Sequence, residues 1–211
     1  MTFAQMIQKS SNIGAAKVGM ALGEWRVFDY LKDFGFGDKT GIDLPGEAVG
    51  LLRGPRQWGK RSLASISMGQ EVGVTPLQMV TAVSAIANGG VLMKPFVVSE
   101  IRNAKGQLVA QTMPQAKRRV ISADTARTLT TLMEGVVTNG TGGKAAIPGF
   151  RVAGKTGTAQ KVDPRTGAYS STLLVGSFLG YVPAEDPRLA MIVVIDEPRG
   201  EGWGGVVAAP V

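Results

Sequence analysis

Lys155, Thr156 and Thr158 lie in a run, GFRVAGKTGTAQ over residues 149–160, that supports two kinds of chemistry. Gly149, Gly154, Lys155 and Thr156 satisfy G-x-x-x-x-G-K-T, the spacing with which a glycine-rich loop cradles nucleotide phosphates. The same residues also suit an exposed strand. Lys155 supplies a cation, Thr156 and Thr158 supply hydroxyls, and Ala153, Gly154, Gly157 and Ala159 are small enough for a ligand to lie alongside as an added strand. That set fits a substrate carrying a carboxylate.

The surroundings separate the two readings. A phosphate loop needs a strand before its first glycine and a helix directly after Lys-Thr, so that the helix N-terminus meets the anion. Ala146-Ile147-Pro148 is too short and ends in proline, and Gly157, Pro164 and Gly167 leave no room for a helix. The strand reading meets neither objection, although four such residues alone also describe a glycine-bearing surface strand with a solvated lysine.

A second constellation lies near the start, Ser10-Ser11-Asn12, at a break between two helical stretches. Its hydroxyls and amide can handle protons and hold a peptide, and either serine also makes an ordinary N-cap. The chain has no His and no Cys. A thiol nucleophile, a disulfide, a Cys/His metal site and a Ser-His-Asp triad are therefore excluded, and proton transfer near neutral pH falls to Lys, Glu, Asp or Tyr. No metal or cofactor site is expected.

The elements that position these residues follow from periodicity. Residues 2–9 read as the end of a helix with Phe3, Met6 and Ile7 on one face, a second helix runs to about Leu22, and a third covers Trp25 to Phe34 with Val27, Phe28 and Leu31 inward. Gly35, Gly37 and Gly41 open a loop that runs past Trp58. Thr75-Pro76 starts a helix whose stripe is Leu77, Val80, Thr81, Ser84 and Ala87, and Gly89-Gly90 ends it. Short strands around a turn at Asn103–Gly106 fill residues 91–121, and a helix follows from about Ala123 to Val137. Arg151–Gln160, Thr172–Tyr181 and Leu189–Asp196 are three strands whose short connectors demand antiparallel pairing, the later two apolar enough to be central. The fold class is α+β, an antiparallel sheet flanked by helices.

Hydrophobic residues make up 44% of 211 and charged residues 18%, enough to build a core rather than a disordered tail. No run of about eighteen apolar residues spans a membrane, and MTFAQMIQKSSN does not read as a signal peptide. The net charge of +7 is scattered. Its one tight cluster, Lys117-Arg118-Arg119, has no interleaved aromatics, which argues for a solvated face and against a nucleic-acid surface.

Taken in order along the chain, S-x-N at Ser10–Asn12, V-T-P-L-Q at Val74–Gln78, N-G-T-G at Asn139–Gly142, A-G-K-T-G-T-A at Ala153–Ala159 and G-G-V-V-A-A-P at Gly204–Pro210 resemble the landmarks of class B penicillin-binding proteins, most of all the septal, cell-division type. The resemblance implies a penicillin-binding, β-lactamase-like transpeptidase fold and a D-alanyl-D-alanine transpeptidase that cross-links peptidoglycan. It implies that Ser10 relays a proton, Asn12 holds the substrate amide, and Lys155 sets a positive field. Thr156 and Thr158 would bind the terminal carboxylate, and Gly157 and Thr158 would form the close-approach and oxyanion side of the cleft. Implied partners are peptidoglycan stem peptides, β-lactams and division proteins at the extracytoplasmic face of the inner membrane.

The family's first motif, S-x-x-K, is absent: none of the eleven serines is followed three residues later by Lys. Residues 1–211 are thus expected to be a partial transpeptidase domain, with the nucleophile upstream of Met1 and a last helix beyond Val211, inactive alone and prone to self-association. Two alternatives stay open at the level of sequence, a non-catalytic penicillin-sensing or scaffold module on the same fold and a nucleotide hydrolase.

Overall fold

Thr2 and Thr75 open helices by the same device. Each threonine hydroxyl accepts the backbone N–H three residues on, and the glutamine there, Gln5 or Gln78, reaches back to the threonine N–H. The first helix, α1, spans Phe3–Gln8, followed by α2 over Asn12–Leu22 and α3 over Glu24–Asp33. A single 3-10 turn at Pro55–Gln57 precedes α4, Ser62–Ser67, and the second capping box opens α5, Pro76–Ala87. The strands β1, Val91–Lys94, and β4, Gln115–Arg119, enclose the hairpin of β2, Glu100–Arg102, and β3, Leu108–Gln111. The long helix α6, Ala123–Asn139, leads to β5, Ala153–Val162, β6, Tyr169–Val182, and β7, Leu189–Asp196, and a short helix α7, Gly204–Val207, ends the order. The structure is a computed structural model that describes residues 1–211.

The three late strands form one antiparallel sheet in the order β5-β6-β7, as their short connectors require. Lys155 lies opposite Leu179 and Thr158 opposite Gly176. The core has two parts. Val137, Ala145, Val152, Phe178, Ala208 and Ala209 join the end of α6, the sheet and the segment after α7. Val83, Met133, Ala153, Tyr181 and Ala184 join α5, α6 and the other end of the sheet. Burial of an apolar ring such as Phe178 contributes on the order of 1.5–3 kcal/mol. Tyr181 brings its hydroxyl inside as well, and Thr130 of α6 meets it at 2.7 Å, so no polar atom is stranded.

Several expectations change. Residues 153–162 are one continuous strand, so no helix starts at Thr156 and the phosphate-loop reading is overturned. Of the two strands expected to be central, β6 is, whereas β7 occupies a sheet edge with Leu189 and Met191 exposed, because no other strand pairs with it. The buried residues of α5 are Gln78, Ala82, Val83 and Ala85, and not the expected stripe of Leu77, Val80, Thr81, Ser84 and Ala87, which is only half-buried. This helix packs between the sheet, α6 and β1, so it is covered nearly all round and its small residues take the tightest contacts. The loop expected to run past Trp58 ends at α4, where a short serine-bearing helix packs on α2. Gly19 of α2 is buried there, with the Ser67 side chain standing where a Cβ would be.

Candidate active site

The break between α1 and α2 divides its labour among three residues. Lys9 ends α1, and Ser10 follows at φ 52°, a left-handed conformation that an L-residue other than glycine adopts at a cost. Two bonds close the turn: Ser10 N–H donates to the Ile7 carbonyl at 3.1 Å and Ser11 N–H to the Met6 carbonyl at 3.0 Å. Ser11 then caps α2, its hydroxyl accepting the Gly14 N–H at 3.2 Å. The cap is thus supplied by Ser11 alone, and Ser10 keeps its hydroxyl for something else. Asn12 is the first residue of α2 and is exposed.

That something is Lys155. Its ammonium donates to Ser10 Oγ at 2.7 Å and to the Thr156 carbonyl at 2.8 Å. Lys155 stands half-buried in β5, and this burial holds its pKa down to about 8. A strand places successive side chains on opposite faces, and Thr156 and Thr158 accordingly find other partners. Thr156 Oγ1 lies 2.6 Å from Thr141 Oγ1, in the turn after α6. Thr158 Oγ1 accepts the backbone N–H of Gly204, the first residue of α7, at 3.0 Å.

The glycines are set by packing. A Cβ at Gly204 would fall inside contact distance of the Gly157 and Ser177 carbonyl oxygens, so only glycine lets α7 reach β5. A Cβ at Gly157 would meet Ser177 Oγ at 2.5 Å, closer than side-chain atoms approach. Tight backbone approach on this stretch of β5 is therefore built in.

The structure brings Ser10 to Lys155, and it sets Thr156 and Thr158 together on the other face of β5, backed by Thr141 and the Gly204 N–H, with Gly157 between them. It holds a hydroxyl against a half-buried amine and two further hydroxyls on an edge strand, a combination that can receive an anion and pass a proton at Ser10 Oγ. Asn12 lies one helical residue from that break, with its amide free in solvent. Sequence reasoning missed Thr141 and the Gly204 N–H. The N-G-T-G turn was visible as a helix stop, but nothing local says that its threonine meets a strand fifteen residues later.

Comparison with known proteins covers the whole chain. The family model described as the penicillin binding protein transpeptidase domain matches residues 1–211. Stage V sporulation protein D of Bacillus subtilis is 44% identical over all of this chain and 32% of its own length. Peptidoglycan D,D-transpeptidase FtsI of Escherichia coli is 36% identical over all of this chain and 34% of its own. The chain thus spans about a third of the curated relatives it matches. Among solved structures, penicillin-binding protein 3 of Mycobacterium tuberculosis complexed with aztreonam superposes with a TM-score of 0.92 at 35% identity, covering 99% of this chain and 48% of that one. The apo transpeptidase domain of Burkholderia pseudomallei penicillin-binding protein 3 gives 0.85 at 36% identity, covering 100% and 61%.

Proposed function

The chain belongs to the penicillin-binding protein transpeptidase family, and from that premise we propose that it forms the carboxylate-binding and proton-handling part of a serine D-alanyl-D-alanine transpeptidase. In this reading the nucleophile is a serine of an S-x-x-K motif in a segment preceding residue 1. It attacks the carbonyl of the penultimate D-Ala, the peptide bond breaks, and the terminal D-Ala leaves as an amine. The nucleophile gives its proton to the lysine of its own motif; Ser10 Oγ, held by the Lys155 ammonium, passes its proton to the leaving nitrogen and takes that one in its place. Asn12 holds the substrate amide, and the Lys155 charge attracts the terminal carboxylate to the hydroxyls of Thr156 and Thr158. The Thr158 N–H stabilises the developing oxyanion. An amine from a second peptide strand then resolves the acyl-enzyme and closes the cross-link.

The observation that carries this reading is the Lys155–Ser10 contact, because two motifs far apart in sequence converge on one proton path. The absence of His fits, since in this reading the lysine of the S-x-x-K motif does the base work and Lys155 stays a cation. β-Lactams acylate the same serine by mimicking the dipeptide, and relatives of this fold are known in complex with aztreonam and ampicillin. No helix here is long and apolar enough to cross a membrane. In this reading the intact protein works at the extracytoplasmic face of the inner membrane, among division proteins, and its likeness to peptidoglycan D,D-transpeptidases supports that reading. The test is intact mass after incubation with benzylpenicillin. The protein with its preceding segment gains one acyl adduct, whereas residues 1–211 alone gain none. An adduct on any of the eleven serines of this chain would overturn the assignment.

A further inference from the structure

Two hydroxyls on one face of β5 are each backed by a group that no role has yet claimed. Thr158 Oγ1 accepts a hydrogen bond from the Gly204 N–H, which can only donate. That leaves the Thr158 proton to point elsewhere, so the hydroxyl is offered to a ligand as a donor. Thr156 Oγ1 is paired at 2.6 Å with the hydroxyl of Thr141. A hydroxyl pair can run in either direction, and an anion placed beyond Thr156 selects one: Thr141 donates to Thr156, and Thr156 donates to the anion. Each bond in such a chain polarises the next, so the terminal donor is stronger than an isolated hydroxyl.

Thr141 is also fixed in place. It follows α6 directly, and its N–H donates to the Gln8 carbonyl of α1 at 3.1 Å. A Cβ on Gly205 would clash with the Thr141 carbonyl oxygen, so the turn is wedged between α1, α7 and β5. The hydroxyl is therefore preorganised toward Thr156 from a rigid support, with no need to order a loop on binding.

We infer that Thr141 is a positioning residue of the carboxylate subsite, acting through Thr156: it sets the direction of the Thr156 hydroxyl so that this group donates to the carboxylate of the stem peptide or β-lactam. The inference rests on the function proposed above, and it assigns to the N-G-T-G turn a part in ligand recognition.

The experiment uses the intact protein and a carboxylate-bearing penicillin, with the dissociation constant of the initial complex separated from the acylation rate constant. Thr141→Val keeps the shape and removes the hydroxyl. Loss of one neutral hydrogen bond predicts an affinity weakened about fivefold to tenfold with the acylation rate constant unchanged. Thr141→Ser restores the affinity. In a Thr156→Val background, Thr141→Val adds no further loss, since its route to the ligand is gone. Thr141→Ala serves equally should the valine variant not fold. Unchanged or tighter binding by Thr141→Val overturns the inference, as it would mean that Thr156 donates to Thr141. So does a loss that serine does not rescue, or one that persists undiminished without the Thr156 hydroxyl. A wild-type protein that takes up no β-lactam at all would instead refute the proposed function itself.

Discussion

Ser10 and Lys155 stand 145 residues apart in the chain and meet with Nζ 2.7 Å from Oγ. One comes from a strained turn between two helices, the other from the interior of an edge strand. The contact ties the break between α1 and α2 to the sheet, and each residue shows a sign of being held there against its own preference. Ser10 takes a left-handed backbone conformation, and Lys155 keeps an ammonium where burial lowers its pKa.

The strain at Ser10 separates stability from activity. Ser10→Gly relieves the left-handed backbone and should raise stability by about 0.5–1 kcal/mol, after allowing for the extra entropy of unfolded glycine, while acylation by β-lactams falls. Ser11→Ala should do the opposite, costing roughly 1 kcal/mol through the lost cap of α2 with a smaller effect on acylation. Denaturant melts beside acylation rates check the crossed pattern.

The pKa of Lys155, near 8 in the folded protein against 10.5 for an ordinary lysine, predicts two opposite trends in one pH window. Between these values the unfolded chain binds more protons at this site than the native one, so stability rises with pH from about 8 upward and levels off above 10.5. Affinity for a carboxylate ligand should be level below pH 8 and fall above it, as the ammonium loses its proton. Lys155→Met should abolish both trends. Denaturant titrations and initial-complex affinities across pH 7 to 10 measure them.

Gly204 has no room for a side chain. Gly204→Ala should cost about 1–3 kcal/mol by overpacking against the carbonyls of Gly157 and Ser177. By shifting α7 it should also weaken ligand binding through Thr158. Equal melting temperatures for wild type and variant would show that α7 is free to move.

Much of this was legible in the sequence because local chemistry decides it. Thr75-Pro76 announces α5, and the short connectors after Gln160 and Tyr181 force antiparallel pairing of β5, β6 and β7. Gly157 and Pro164 likewise rule out a helix after Lys155-Thr156. What stayed hidden depends on contacts distant in sequence. The buried side of α5 was misjudged because a helix covered on several faces carries no single apolar stripe. The short helix α4 escaped because six residues, half of them serine, give no periodic signal. The partners of Thr156 and Thr158 lie in Thr141 and Gly204, and no local pattern pairs a turn threonine or a backbone N–H with a particular strand hydroxyl.

The central claim is that Lys155 acts as a positioned cation in a β-lactam-reactive cleft, and the acylation rate of the intact protein carrying Lys155→Ala tests it most directly. Loss of a charge-assisted donor in a closed site typically slows such a reaction ~10²–10³-fold, whereas Thr158→Val, losing one neutral hydroxyl, should slow it by the equivalent of roughly 1–2 kcal/mol, with melting lowered in Thr158→Val, which strands the buried Gly204 N–H, and not in Lys155→Ala. The account predicts that Lys155→Ala is the slower of the two, by about threefold or more. Acylation of Lys155→Ala at the wild-type rate would contradict it and reduce residues 149–160 to a glycine-bearing strand with a lysine on it.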